Sequence, residues 1–138
     1  MPATTRFTAI FPLALFIACL STGARAETVR FTAILLPVAG TGSQASGNLV
    51  ADYDTDSKRL TWNGSYKGVA TYATSASFHG APSGPRRGMV RLQAIDSPFE
   101  GSALLGDKQA EGLLAGEWSI VVRTAGFPKG ELRGQLVR

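Results

Sequence analysis

Metal capture and acid–base catalysis both draw on imidazole, and this chain has a single histidine, His79. One imidazole does not make a three-histidine zinc or copper site, and no Asp or Glu stands near it in sequence to complete a mixed one. A Ser-His-Asp arrangement is formally open because serines are many. No nucleophile-elbow motif accompanies it. The plain reading of His79 is a strand-end imidazole bonded to the adjoining loop, Gly80 to Gly88. Asp52-Tyr53-Asp54-Thr55-Asp56 imitates the start of a calcium loop. Its sixth position should be glycine and is Ser57, and its twelfth should be a bidentate glutamate and is Asn63. The stretch reads as a solvated hairpin turn. Gly40-Thr41-Gly42-Ser43-Gln44-Ala45 fits G-x-G-x-x-A, but a dinucleotide site needs a helix next. The chain instead continues with Ser46-Gly47-Asn48 and an alternating strand, so this is a flexible loop. Asn63-Gly64-Ser65 is a glycosylation sequon, set in a strand-like stretch.

Arginines supply the remaining chemistry. Arg86, Arg87 and Arg91, and separately Arg123, Lys129 and Arg133, are candidates for anion-binding patches. The competing view is that outward strand positions carry arginine for solubility and against edge pairing. If Leu132, Gly134 and Leu136 point inward, then Glu131, Arg133 and Gln135 face out. Glu131 can then pair across strands with Arg123. His79, Arg123, Glu131 and Arg133 form the candidate polar cluster, for binding or for structure. No catalytic residue or metal ligand is assigned, and no cofactor is expected.

The elements that must position these groups begin after a leader. Arg6, the apolar run Phe7 to Leu20 and Ala24-Arg25-Ala26 give the charge, core and A-x-A order of a secretory signal peptide. Cleavage after Ala26 leaves one domain, residues 27–138, in a secreted or periplasmic setting. The only cysteine, Cys19, lies in the leader. Phe16-Ile17-Ala18-Cys19 is a loose lipoprotein box, and a lipid anchor at Cys19 competes with the A-x-A site, which explains more residues. The domain has no disulfide and depends on an ordinary core, feasible at this size. The chain's 14 Lys and Arg lose Arg6 and Arg25 with the leader, which leaves 12 against 10 Asp and Glu, a net +2. That balance does not argue for nucleic acid or an anionic membrane. No later apolar run is long enough for a membrane span.

Along the domain the pattern is strand, turn, strand. Val29 to Leu36 starts as alternation and turns apolar, which reads as burial on both faces near its end. Gly47 to Tyr53 alternates. Leu60, Trp62, Gly64 and Tyr66 recur with period two, so the Asn63-Gly64 hairpin signal yields to one continuous strand with a bulge allowed at Gly64. Val69 to Phe78, Met89 to Ile95 and Phe99 to Leu105 are the next strands. Asp107 is placed as the N-cap of a short helix, Lys108 to Leu114, closed by Gly116. Trp118 to Val122 and Glu131 to Val137 flank a turn around Pro128 and Gly130. Roughly seven to nine short strands with frequent turns predict an all-β fold, an antiparallel Greek-key or immunoglobulin-like β-sandwich with one short helix.

The order of short motifs carries one more signal. Phe31-Thr32-Ala33, Pro37-Val38, Ala45-Ser46-Gly47, Leu60-Thr61-Trp62 and Tyr66-Lys67-Gly68 come first. Gly84, Gly88-Met89-Val90 with Leu92, and Leu113 to Gly116 come next, and Gly130-Glu131-Leu132-Arg133-Gly134-Gln135-Leu136 closes the series. Taken together the series resembles the chordin-domain (CHRD) family across nearly all of the domain, and the closing motif is the most specific part. The family's His-Ile-His-Gly-Pro-Ala is Ser77-Phe78-His79-Gly80-Ala81-Pro82 here, and its Tyr-Val-Asn-Val-His-Thr is Ser119 to Thr124. Ser77 and Arg123 thus stand where the family has histidines. Three imidazoles meeting on one side of the fold would suit a transition metal. With two of them gone, a metal role does not carry over. The resemblance implies an exported, non-enzymatic binding or structural module of a bacterial-type cell envelope, its partner an unknown protein or envelope ligand. The alternative it leaves is an envelope metal-handling or redox protein, which the lost histidines disfavour. The growth-factor antagonism of animal members is not implied for this chain.

Overall fold

The computed structural model describes residues 27–80 and 89–138. The leader, Cys19, Arg86 and Arg87 lie outside the described residues.

Period-two alternation sets the first three strands. In β1 (Thr28–Pro37) Phe31, Ala33 and Leu35 turn inward. In β2 (Ser46–Asp54) Leu49, Ala51 and Tyr53 do the same, as do Leu60 and Trp62 in β3 (Arg59–Lys67). The alternation of β1 persists to its end. Ile34 and Leu36, expected on a doubly buried stretch, are 71% and 59% exposed. The reason is that only one side of β1 faces the core. Gly64 is no bulge either. The β2–β3 register runs unbroken from Leu49↔Gly64 to Val50↔Asn63. A Cβ at residue 64 would sit 2.6 Å from Phe99 Cζ, so glycine there admits the ring of the neighbouring strand.

The later elements are β4 (Ala73–His79), β5 (Val90–Arg91), β6 (Phe99–Leu104), α1 (Asp107–Leu114), β7 (Ser119–Thr124) and β8 (Leu132–Gln135). Three expected strands are clearly shorter than their sequence pattern: Glu131 to Val137 keeps only Leu132–Gln135, and two others are cut at one end. Val69 to Tyr72 forms no ladder because its polar groups are used elsewhere. Ala70 N–H donates to Glu131, and Thr71 Oγ1 accepts from Gly126 N. β5 ends at Arg91, and a last bond to β4 follows it, Leu92 N donating to Ala76 O at 2.9 Å. The N-cap of α1 is Gly106, one residue earlier than expected. Asp107 sits inside the first turn, where it holds Lys58 Nζ at 2.6 Å. The helix closes as expected around Gly116. Gly116 N bonds to Leu113 O and Glu117 N to Gly112 O, the paired bonds of a Schellman ending.

Among the described residues all ladders are antiparallel, and the strands form one eight-stranded sheet in the order β5-β4-β7-β8-β1-β2-β3-β6. Among the described residues the fold is therefore all-β with a single short helix, as the sequence implied. Its two layers are two halves of one sheet joined at β1. That strand pairs with β2 along most of its length and with β8 through Leu36↔Arg133 and Pro37↔Leu132. The sheet curls over itself so that β3 of one half meets β4 of the other. Trp62 stands edge-on to Phe78 at 5.1 Å between centroids, and Phe78 packs on Trp118 at 5.7 Å. Leu35, Leu60, Ile120 and Val122 fill the space around these rings. Among the described residues no helix is long and apolar enough to cross a membrane.

Candidate functional site

The half formed by β5, β4, β7 and β8 has an outward face whose contents are set by alternation. Ala76 and Phe78 point to the core from β4, Ile120 and Val122 from β7, and Leu132 from β8. Ser75, Ser77, His79, Val121, Arg123, Arg133 and their register partners are left on the other side. Register aligns them. Ser77 lies opposite Arg91 on one flank and Val121 on the other, and Val121 lies opposite Arg133. Directly opposed residues share a face, so Arg91, Ser77, Val121 and Arg133 form one lateral row. Arg123 and His79 flank that row above and below, at Ser75↔Arg123 and His79↔Ser119.

Three of these side chains touch. Ser77 Oγ lies 2.7 Å from His79 Nε2, and Arg123 Nη1 donates to Ser77 Oγ at 3.2 Å. The positions that the family resemblance marked as its histidine cluster therefore do meet in space. A hydroxyl has one proton and two lone pairs, so a neutral His79 makes this contact with Nε2 as acceptor in one tautomer and as donor in the other. The electrostatics favour the neutral ring. Burial first, then the charges of Arg123 and Arg133, hold the His79 pKa below its ordinary value. This is a poor setting for a nucleophile and base. A base that takes the serine proton becomes an imidazolium, and two neighbouring cations oppose that charge. Ser77 is also 2% exposed, which shuts its hydroxyl off from substrate.

Among the described residues the face is cationic without internal compensation. Among the described residues the ion pairs are Arg30–Asp52 and Lys58–Asp107, both away from this face. Arg91, Arg123 and Arg133 have no carboxylate within 4 Å among the described residues.

Glu131 does not belong with them. The expected cross-strand pair with Arg123 is absent, and the carboxylate is fully buried on the core side. It accepts from Thr124 Oγ1 at 2.7 Å, Ser43 Oγ at 2.8 Å and Ala70 N at 3.1 Å. The reason is local. The strand begins at Leu132, and Gly130 at φ 130° turns the chain just before it, so the outward alternation does not extend back to Glu131. The contact also corrects the expectation for Gly40 to Ala45. That loop is anchored, because Thr41 Oγ1 donates to Val38 O at 2.7 Å and Ser43 is held by Glu131. Nothing local in the sequence marks Ser43, Ala70 and Thr124 as partners of a glutamate. Beside this latch an apolar cleft of about 460 Å³ opens between the loops, lined by Val38, Thr41, Phe127, Pro128 and Lys129.

Two of the three carboxylates at the β2–β3 turn are engaged internally. Asp52 makes a two-pronged pair with Arg30, and Asp54 Oδ1 accepts from Asp56 N and Ser57 N. Among the described residues no three His, Cys, Asp or Glu side chains gather closely enough to hold a metal ion.

Comparison with curated proteins and with solved structures gave no match. The family comparison did: the model described as the CHRD domain matches residues 28–136, nearly the whole described fold. The strand order, the closing Gly130–Leu136 segment and the Ser77–His79–Arg123 contact thus belong to a chain that is a member of the CHRD domain family.

Proposed function

We propose that this chain is an exported, non-enzymatic binding module of the cell envelope, and that it binds through the outward face of β4, β5, β7 and β8. The observation that carries this reading is the set of three arginines, Arg91, Arg123 and Arg133, displayed on one open face with no carboxylate beside them among the described residues. An internal salt-bridge network would have used these charges. Membership of a family regarded as an extracellular-type binding module agrees with the reading. The leader ending at Ala26 supplies the route out.

The test is capture from envelope extract with the purified chain as bait. A partner retained by wild type and released by Arg123→Gln/Arg133→Gln supports the reading. Retention that ignores both arginines overturns it. A broad ester and glycoside screen tests the non-enzymatic part, and turnover abolished by Ser77→Ala would sink it. A mature N-terminus at Glu27, read by mass spectrometry, tests export; an acylated Cys19 would replace cleavage with anchoring.

A further inference from the structure

We infer that the outward face docks an acidic polypeptide whose carboxylates lie next to aliphatic side chains; this rests on the face being the binding surface. The lateral row does not stop at Arg133. Arg133 is opposite Leu36 on β1, so Arg91, Ser77, Val121, Arg133 and Leu36 run in line across five strands. At about 4.8 Å per strand, Arg91 and Arg133 stand about 14 Å apart. Past Arg133 the surface becomes apolar. Leu36 is 59% exposed, Ile34 on the same face of β1 is 71% exposed, and Val137, bridged to Thr32, is 52% exposed.

Each feature narrows the partner. A spread of this width exceeds one phosphate or one carboxylate, so the ligand carries several anionic groups. Among the described residues the arginine row lies on strand surface in register, whereas a small molecule needs a concave site for burial. Guanidinium forks match carboxylates in two-point geometry. The aliphatic strip beside Arg133 asks for apolar contact from the same partner, which a purely anionic glycan lacks. A membrane supplies both chemistries. However, side chains on a sheet face end at one level and form no wedge to enter a headgroup layer as an amphipathic helix does. An extended or flat polypeptide surface meets such a face directly.

The experiment uses the purified full chain and three probes: poly-L-glutamate, a random glutamate–leucine copolymer, and phosphatidylglycerol vesicles. Both polypeptides should bind, and the copolymer more tightly. Arg91→Gln/Arg133→Gln should weaken both by about tenfold or more, while Arg59→Gln/Lys108→Gln, with the same charge loss elsewhere, should change them by less than about twofold. Ile34→Ser/Leu36→Ser should weaken the copolymer alone. Equal losses in the two charge-removing variants, or binding to vesicles without binding to polyglutamate, overturns the inference. Ligand class and binding surface can fail separately. If envelope capture depends on the arginines but excess polyglutamate does not compete, the ligand class is wrong and the binding surface stands. If nothing is captured through the arginines, the surface itself falls.

Discussion

Glu131 and Arg133 are two residues apart and live in opposite worlds. The carboxylate is sealed in the core and satisfied by three neutral donors from three separate segments. The guanidinium stands in water with no carboxylate beside it among the described residues. A charge removed from water must find partners inside the protein. A charge left in water need not. The contrast sorts polar groups by where their partners are. Glu131 has all of its partners within the chain and serves the fold, tying the β1–β2 loop to the segment before β4 and to β7. Among the described residues Arg91, Arg123 and Arg133 have no carboxylate partner, and their charge is left for something else.

The sharpest way to break this contrast is at Glu131. Glu131→Ala leaves Ser43 Oγ, Thr124 Oγ1 and Ala70 N without their acceptor, and should lower stability by about 2–4 kcal/mol. Glu131→Gln keeps the volume but turns an amide NH2 toward donors, and should lower it by about 1–2 kcal/mol. Urea denaturation measures both. If both variants unfold like wild type, the buried carboxylate is not holding the loops.

How far the sequence disclosed these two regions depends on whether the information is local. Phe31, Ala33 and Leu35, or Leu60 and Trp62, announce their strands because alternation is a property of neighbours. The all-β class and the helix end at Gly116 are legible in the same way. Glu131 is not. Its direction depends on a turn at Gly130, and its donors Ser43 and Ala70 are 88 and 61 positions away. Ile34 and Leu36 have the composition of core and are surface in the fold, since hydrophobicity alone does not say which side of a strand has a neighbour. The contact of Ser77 with Arg123 spans 46 positions and no spacing rule reaches it. The family resemblance does, because it aligns both with positions that could meet.

On the outward face the effects should be smaller. Ser77→Ala removes the acceptor of Arg123 Nη1 and the partner of His79 Nε2, and should lower stability by about 1 kcal/mol. A loss as large as that of Glu131→Ala would mean that the face is built for the fold after all. His79 should show itself through pH. Burial, Arg123 and Arg133 disfavour the imidazolium in the folded state, so the unfolded chain holds the proton more tightly. Above the ordinary value of 6.5 both states are neutral and His79 exerts no effect. As pH falls below that value and through the lowered folded value, stability declines. His79→Asn should flatten this acid limb in a series of melts, and an unchanged slope would assign the decline to other groups.

The smallest effect on stability and the most direct reading of the comparison both belong to Arg133. Arg133→Gln removes an exposed charge with no carboxylate partner among the described residues, so its melt should stay within about 0.5 kcal/mol of wild type. Yet the same substitution removes one of the two cations that hold the His79 pKa down. His79 is the chain's single histidine, so its ring protons give one titration curve free of overlap. That curve should move toward higher pH in Arg133→Gln while the stability does not change. A pKa that stays put would mean that the Arg133 charge does not reach His79 across the face. A large loss of stability would show that Arg133, like Glu131, has its partners within the fold.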